Sequence, residues 1–405
     1  MKIPFNKPLV TGKEAEYLSR VIKNGKFSGD GEFTQKCSEI LQQETGCLKA
    51  IMTPSCTAAL EMAGLLCNLK AGDEIIMPSF AFVTTASAFA QRGVDIVWCD
   101  IREDTKNIDE KKIEPLITGR TKALVILHYA GVACEMEAIR EICRKHRLIL
   151  VEDAAQAIGC RYRGVPLGKF GDLATLSFHE TKNIQCGEGG ALLVNNSKMV
   201  ERAQILRDKG TNRIHFNRGA VDKYTWVDLG SSFLMSELQA AFLYPQILEL
   251  AEIDRNRLET YGLYYRLLAD VLPPARLPII PPGITHNGHM FYILSESHQQ
   301  RKKLIEFLDK NGVMAVFHYV PLHRAPFWKG KYDHISLPVT DRVSESLLRL
   351  PLFYNIAPGE VGYIAEKISL FLHTSYQKEF FRMSPSALSE TDRLMKAIDE
   401  IEIEE

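Results

Sequence analysis

From about residue 48 to 195, short apolar runs alternate with segments that read as helices, and this alternation restricts the fold more than any other feature of the chain. The runs are "KAIMT", "DEIIMP", "VDIVWCD", "KALVILHY", "LILVED", "LATLSF" and "GALLV". Between them lie stretches such as "CTAALEMAGLLCNL" and "MEAIREICRKH". Strands in alternation with helices pack as a mainly parallel sheet, so an α/β domain is expected. Such sheets bind ligands at the carboxyl ends of their strands. The residues just after each apolar run are therefore the ones where chemistry is expected.

Beyond this region, residues 233–270 carry helical periodicity over a length unusual for one globular helix, which predicts a long helix or a broken pair. The Pro-rich "LPPARLPIIPPG" that follows is a natural boundary. The stretch to about 375 mixes strand-like "HMFYIL" and "VMAVFHYV" with helical "RKKLIEFLDKNG" and "SESLLRL", as a smaller α+β domain would. The expected division is a large domain with an N-terminal arm over 1–245, a small domain with its linking helix over 246–375, and a polar, acidic tail over 376–405.

Charge narrows the partners. Lys and Arg number 49 against 50 Asp and Glu, so no broad basic surface is available for nucleic acid, and a small-molecule or protein partner is expected. The opening "MKIPFNKPLV" lacks a long apolar core, and no uninterrupted apolar run approaches the ~18 residues of a membrane span, so the expectation is a soluble, cytoplasmic protein. Nine cysteines with no CxxC pair fit buried reduced thiols rather than a disulfide frame or zinc site.

Three strand ends carry the chemistry. In "LILVEDAAQAIG", Glu152 and Asp153 close an apolar run and Gln156 follows one turn later; an acid here serves either as a helix cap or as a functional carboxylate. In "IMTPSCTAALEMA", hydroxyls at the start of an Ala-rich helix make either an anion site or a plain N-cap by Ser55 or Thr57. In "LATLSFHETKNIQCGEGGALLV", Lys182 lies between two buried runs and beside glycines that let backbone approach something closely, an odd place for a solvated lysine. His179 and Glu180 do not extend to a zinc motif, because residue 183 is Asn rather than His.

One ligand satisfies all three. An aldehyde cofactor with a phosphate tail and a basic ring nitrogen needs a lysine for a Schiff base, an anion site and a carboxylate against the ring nitrogen. Pyridoxal 5′-phosphate is that cofactor. Lys182 would hold it and then act as the base and acid that moves a proton at the substrate carbon.

The stretches "VEDAAQAIG", "SFHETKN" with "GEGG", "TPSCTAALEMA", "MPSFAFVTTASAF" and "LMSELQAA" resemble the sugar aminotransferases of the DegT/DnrJ/EryC1 group, and the likeness runs from "IPFNKP" to "LRLPLFYN". The resemblance implies the aspartate aminotransferase-type fold (fold type I), with a seven-stranded, mainly parallel sheet, a homodimer with its active site near the subunit interface, and no metal. It implies Lys182 as the Schiff-base residue, Asp153 against the ring nitrogen and Gln156 beside the phenolic oxygen. Cys56, Thr57 and Ser177 match its phosphate site, and Phe82 the aromatic ring on the cofactor face. Where many members read "GYNYRMS" and reach the neighbouring subunit's phosphate, this chain reads "GSSFLMS", with Ser232 in the Asn position and Leu234 in the Arg position. Arg213, His318 and Tyr319 are expected near the substrate or the cofactor edge. The substrates implied are L-glutamate and a dTDP-linked keto-sugar. The competing readings are amination of another nucleotide-linked keto-sugar, or at another carbon or stereochemistry, a sugar dehydratase, in which histidine replaces the lysine, and a non-catalytic regulator.

Overall fold

The structure is a computed structural model that describes residues 2–383, with side chains as far as residue 373. Its strands are β1 (Lys49–Thr53), β2 (Glu74–Pro78), β3 (Asp95–Cys99), β4 (Thr121–Leu127), β5 (Ile149–Asp153), β6 (Arg161–Tyr162), β7 (Val165–Pro166), β8 (Leu173–Ser177) and β9 (Gly190–Val194), then β10 (Ile284–Thr285), β11 (Phe291–Leu294), β12 (Val316–Phe317) and β13 (Leu347–Leu350). The seven apolar runs all become strands of one sheet, ordered β1-β9-β8-β5-β4-β2-β3. Pairing is parallel from β3 through β2, β4 and β5 to β8, and antiparallel where β9 meets β8 and β1. The sheet is seven-stranded and mainly parallel, as expected.

Helices cover both faces, which is why the strands are apolar on both sides rather than alternating with polar residues. Successive side chains still divide between two cores: Leu124 and Ile126 join one, Ala123, Val125 and Leu127 the other. The first core packs helices Glu14–Asn24, Glu32–Thr45 and Glu237–Leu248 against the sheet; the second packs Cys56–Leu66 and Val83–Ala90. A third core surrounds the antiparallel sheet β11-β13-β12, with Phe291, Ile293, Leu348 and Leu350 fully buried among helices.

The long helical stretch is a broken pair, Glu237–Leu248 and Leu250–Leu268, separated at Glu249. Pro245 lies inside the first member without ending it. One expectation is corrected. "SESLLRL" was expected to be helical, but the helix Pro338–Ser346 stops within it and Leu347–Leu350 forms β13, the centre of the small sheet. Tertiary pairing decides this: β11 and β12 offer hydrogen-bonding edges on both sides of a short apolar run whose local pattern fits helix and strand alike. The last helix runs from Pro358 to Met383, and residues 384–405 of the acidic tail lie outside the described residues. No described helix is long and apolar enough to cross a membrane.

Candidate active site

The carboxyl ends of β5 and β8 and the turn after β1 open on one cavity of about 740 Å³, closed on its other side by the small sheet. Lys182 reaches it from the loop between β8 and β9, where its backbone N–H donates to His179 O at 2.9 Å. Asp153 is the last residue of β5 and buried; its Oδ2 accepts from Thr85 Oγ1 at 2.7 Å and its Oδ1 from the Ala155 N–H at 3.1 Å. No helix starts after it, so it is a buried, oriented carboxylate rather than a helix cap.

The turn after β1 resolves the second ambiguity. Ser55 is the N-cap of helix Cys56–Leu66 and accepts from the Ala58 N–H at 3.1 Å. Capping leaves the N–H groups of Cys56 and Thr57 without hydrogen-bond partners among the described residues, so cap and anion site coexist. Gly190, the first residue of β9, passes so close that a Cβ on it would lie 2.5 Å from Cys56 N and from Ser55 C. Ser177 ends β8 and lines the same cavity.

The third wall is aromatic. Phe82 precedes helix Val83–Ala90 and is 55% exposed into this space, its ring 6.4 Å from that of Tyr319. Gln156 accepts from the Ala130 N–H at 2.6 Å and donates to Tyr319 Oη at 2.9 Å. His318 Nδ1 is 3.1 Å from Tyr129 Oη.

Burial dominates the electrostatics. It lowers the Lys182 amine, with Cys56 and Asp153 opposing and Arg349 reinforcing, and it raises the Asp153 carboxyl against Thr85, Ala155 and Lys182. Both groups are thereby drawn toward their neutral forms, and a cationic ring nitrogen beside Asp153 would reverse the shift there. Burial likewise pushes the Cys56 thiol up to about 12, so it is protonated at neutral pH.

A cofactor of this chemistry fits: an accessible amine, a dry carboxylate and two free amides at a helix start face one space. Two expected residues stand elsewhere. Arg213 is exposed on the short helix Arg213–Asn217, 3.8 Å from Asp208 with its guanidinium over the Tyr224 ring, and Ser232 is exposed beside Asp208. Neither lines the cavity of its own chain.

The structure also brings in residues that the strand ends did not announce. Arg349 of β13 lines the cavity with its Nε buried and unpartnered; among the described residues no carboxylate pairs with it, and its guanidinium lies over the Phe5 ring at 4.7 Å. Its sequence signal was a single arginine in the apolar run "LLRLPL", hidden by the helical reading. His289, just before β11, also lines the cavity, and Asn183, next to Lys182, is buried behind it with Oδ1 2.9 Å from His289 Nδ1.

Residues 8–369 match the DegT/DnrJ/EryC1/StrS aminotransferase family. An uncharacterised protein of Methanocaldococcus jannaschii is 33% identical over 367 residues, 89% of this chain and 95% of its own length. Among solved structures, the aminotransferase TlmJ from Streptoalloteichus hindustanus superposes with a TM-score of 0.85 at 27% identity, covering 92% of this chain and 100% of its own. Helicobacter pylori PseC, an aminotransferase involved in the biosynthesis of pseudoaminic acid, gives 0.85 at 26% identity over 92% of this chain and 100% of its own.

Proposed function

Because this chain belongs to the DegT/DnrJ/EryC1/StrS family and is a pyridoxal-phosphate-dependent sugar aminotransferase, we propose that its donor is L-glutamate and its acceptor the 4-keto carbon of dTDP-4-dehydro-6-deoxy-D-glucose. The products are 2-oxoglutarate and dTDP-4-amino-4,6-dideoxy-D-galactose. The observation that carries the reading is the convergence of Lys182, Asp153 and the free Cys56 and Thr57 amides on one cavity. The choice of sugar rests on wording: "GDGEFTQKC", "HYAGVACEM", "DKGTNR", "VDKYTW", "GSSFLMS", "HMFYI" and "VFHYVPLH" resemble the transaminase that makes this amino sugar for enterobacterial common antigen.

Bound here, the cofactor supplies an aldehyde that exchanges the amino group and a ring that accepts the electron pair released at the substrate carbon. The amides of Cys56 and Thr57 and the Ser177 hydroxyl would hold its phosphate, and Phe82, lining the same cavity, would cover the ring. Asp153, oriented by Thr85 and Ala155, keeps the ring nitrogen protonated. Lys182, its amine lowered by burial, takes and returns the proton at the substrate carbon. Arg349 gives the donor's carboxylate a guanidinium partner in a desolvated site. Gln156 and Tyr319 form a hydrogen-bonded edge beside the ring. A second copy of the chain completes the assembly, presenting Ser232 and Arg213 toward its neighbour's cavity.

The test supplies glutamate with a panel of dTDP-, UDP- and GDP-linked 4-keto-6-deoxy sugars and reads the product by NMR. An axial amine at C4 of the dTDP sugar is expected; an equatorial amine or a preference for UDP overturns the assignment. In the same preparation, borohydride should abolish absorbance above about 400 nm and leave the cofactor on a peptide containing Lys182. Lys182→Ala should lose turnover by at least about 10³-fold.

A further inference from the structure

Asn183, the residue after Lys182, holds a buried hydrogen-bond network that ends on the cavity. Its Nδ2 donates to Asn287 O at 3.0 Å and to Asp254 Oδ1 at 3.3 Å. The Asn287 carbonyl can only accept, which fixes the amide with Oδ1 turned to His289 Nδ1 at 2.9 Å. An amide oxygen only accepts, so His289 carries its proton on Nδ1 and a lone pair on Nε2. The ring is fixed along its backbone as well: its N–H donates to Asn287 Oδ1 at 3.0 Å and its carbonyl accepts from Arg257 Nη2 at 2.7 Å.

His289 lines the cavity with Lys182 and keeps 9% of its surface exposed. Nε2 meets no partner among the described residues and is not one of the buried atoms left unsatisfied, so a ligand can reach it. Burial, followed by Lys182, Arg257 and Arg349, holds this imidazole well below its usual value, so it is not poised to accept a proton. The lone pair repels carboxylates, and the surrounding cations disfavour an ammonium group. What remains is a neutral donor, a hydroxyl. Glutamate has none, whereas the acceptor sugar carries a hydroxyl on C3, next to its keto carbon.

We propose that His289 is a specificity-determining residue for the acceptor, its Nε2 taking a hydrogen bond from a sugar hydroxyl and so turning the keto carbon toward Lys182. This rests on the reading of a keto-sugar as acceptor. Asn183 is the positioning residue that sets the tautomer.

Two measurements test it. In cofactor-free protein labelled at the imidazole nitrogens, with the His289 signals assigned by comparison with His289→Gln, nitrogen NMR should show a neutral ring protonated at Nδ1 between about pH 6 and 8. A charged ring or a proton on Nε2 overturns the proposal. In the loaded enzyme, single-turnover reactions separate the two halves. His289→Leu should leave the glutamate half within about twofold and slow the sugar half about 10²-fold, because a site built around a hydroxyl loses its hold once its acceptor is gone. His289→Gln, which keeps an acceptor, should recover at least tenfold and covers the case in which the Leu variant fails to fold. Equal losses in both halves, or an unchanged sugar half, overturn the proposal. A wild-type enzyme that aminates no keto-sugar removes the functional reading itself and this inference with it.

Discussion

Lys182 and Asp153 are displaced in opposite directions by one cause, the removal of water from a closed cavity. Asp254 is the companion case outside the cavity. Burial raises its carboxyl to about 7, against the hydrogen bond from Asn183 and the charge of Arg257. A carboxyl raised in the folded state stabilises below its unfolded value, near 4, and loses that contribution as pH rises through 7. Asp254→Asn, which keeps an acceptor for Asn183, is therefore expected to gain about 1–2 kcal/mol more over wild type at pH 8 than at pH 5, read from urea midpoints. A gain independent of pH would mean that Asp254 ionises in the fold as it does in the unfolded chain.

Strand β9 shows how an element serves the site without touching a ligand. It runs antiparallel between β8 and β1, and this places Gly190 against the Ser55–Cys56 peptide. Only a residue without Cβ lets the strand start and the helix start sit together. Gly190→Ala must displace backbone, so a loss of about 1–3 kcal/mol in unfolding free energy is expected, with at least tenfold weaker cofactor retention on dialysis. The "GEGG" stretch announced this close approach in the sequence; what was approached, the turn after β1 134 residues earlier, was not legible there. β13 is the opposite case. Four residues of apolar pattern suited either state, and the two neighbouring strands chose for them, carrying Arg349 into the cavity.

At the scale of the whole molecule, the segment around residues 213–229 stands out for its apolar exposure. Trp226 is 74% exposed, and Phe216, Tyr224, Val227 and Leu229 are exposed with it. Clusters of this kind mark association surfaces. The same region carries Arg213 and Ser232 outside their own cavity, which fits the proposal of a second copy. Trp226→Glu should weaken dimerisation at least tenfold by sedimentation and release cofactor more readily. A wild-type protein that sediments as a monomer at about 50 μM would overturn the proposal.

Sequence by itself determined the seven strands, the class of sheet and the strand-end positions of Lys182, Asp153, Ser177 and the Cys56–Thr57 turn. Each follows from a local pattern of period and termination, and the ligand side of a parallel sheet is set by strand direction. Tertiary structure alone decided the rest of the opposite wall, beyond His318 and Tyr319. Arg349, His289 and the Asn183–Asp254 network depend on which buried polar atoms find partners and which are left facing the cavity. That outcome is settled only when segments 71 or more residues apart are packed together and water is excluded between them.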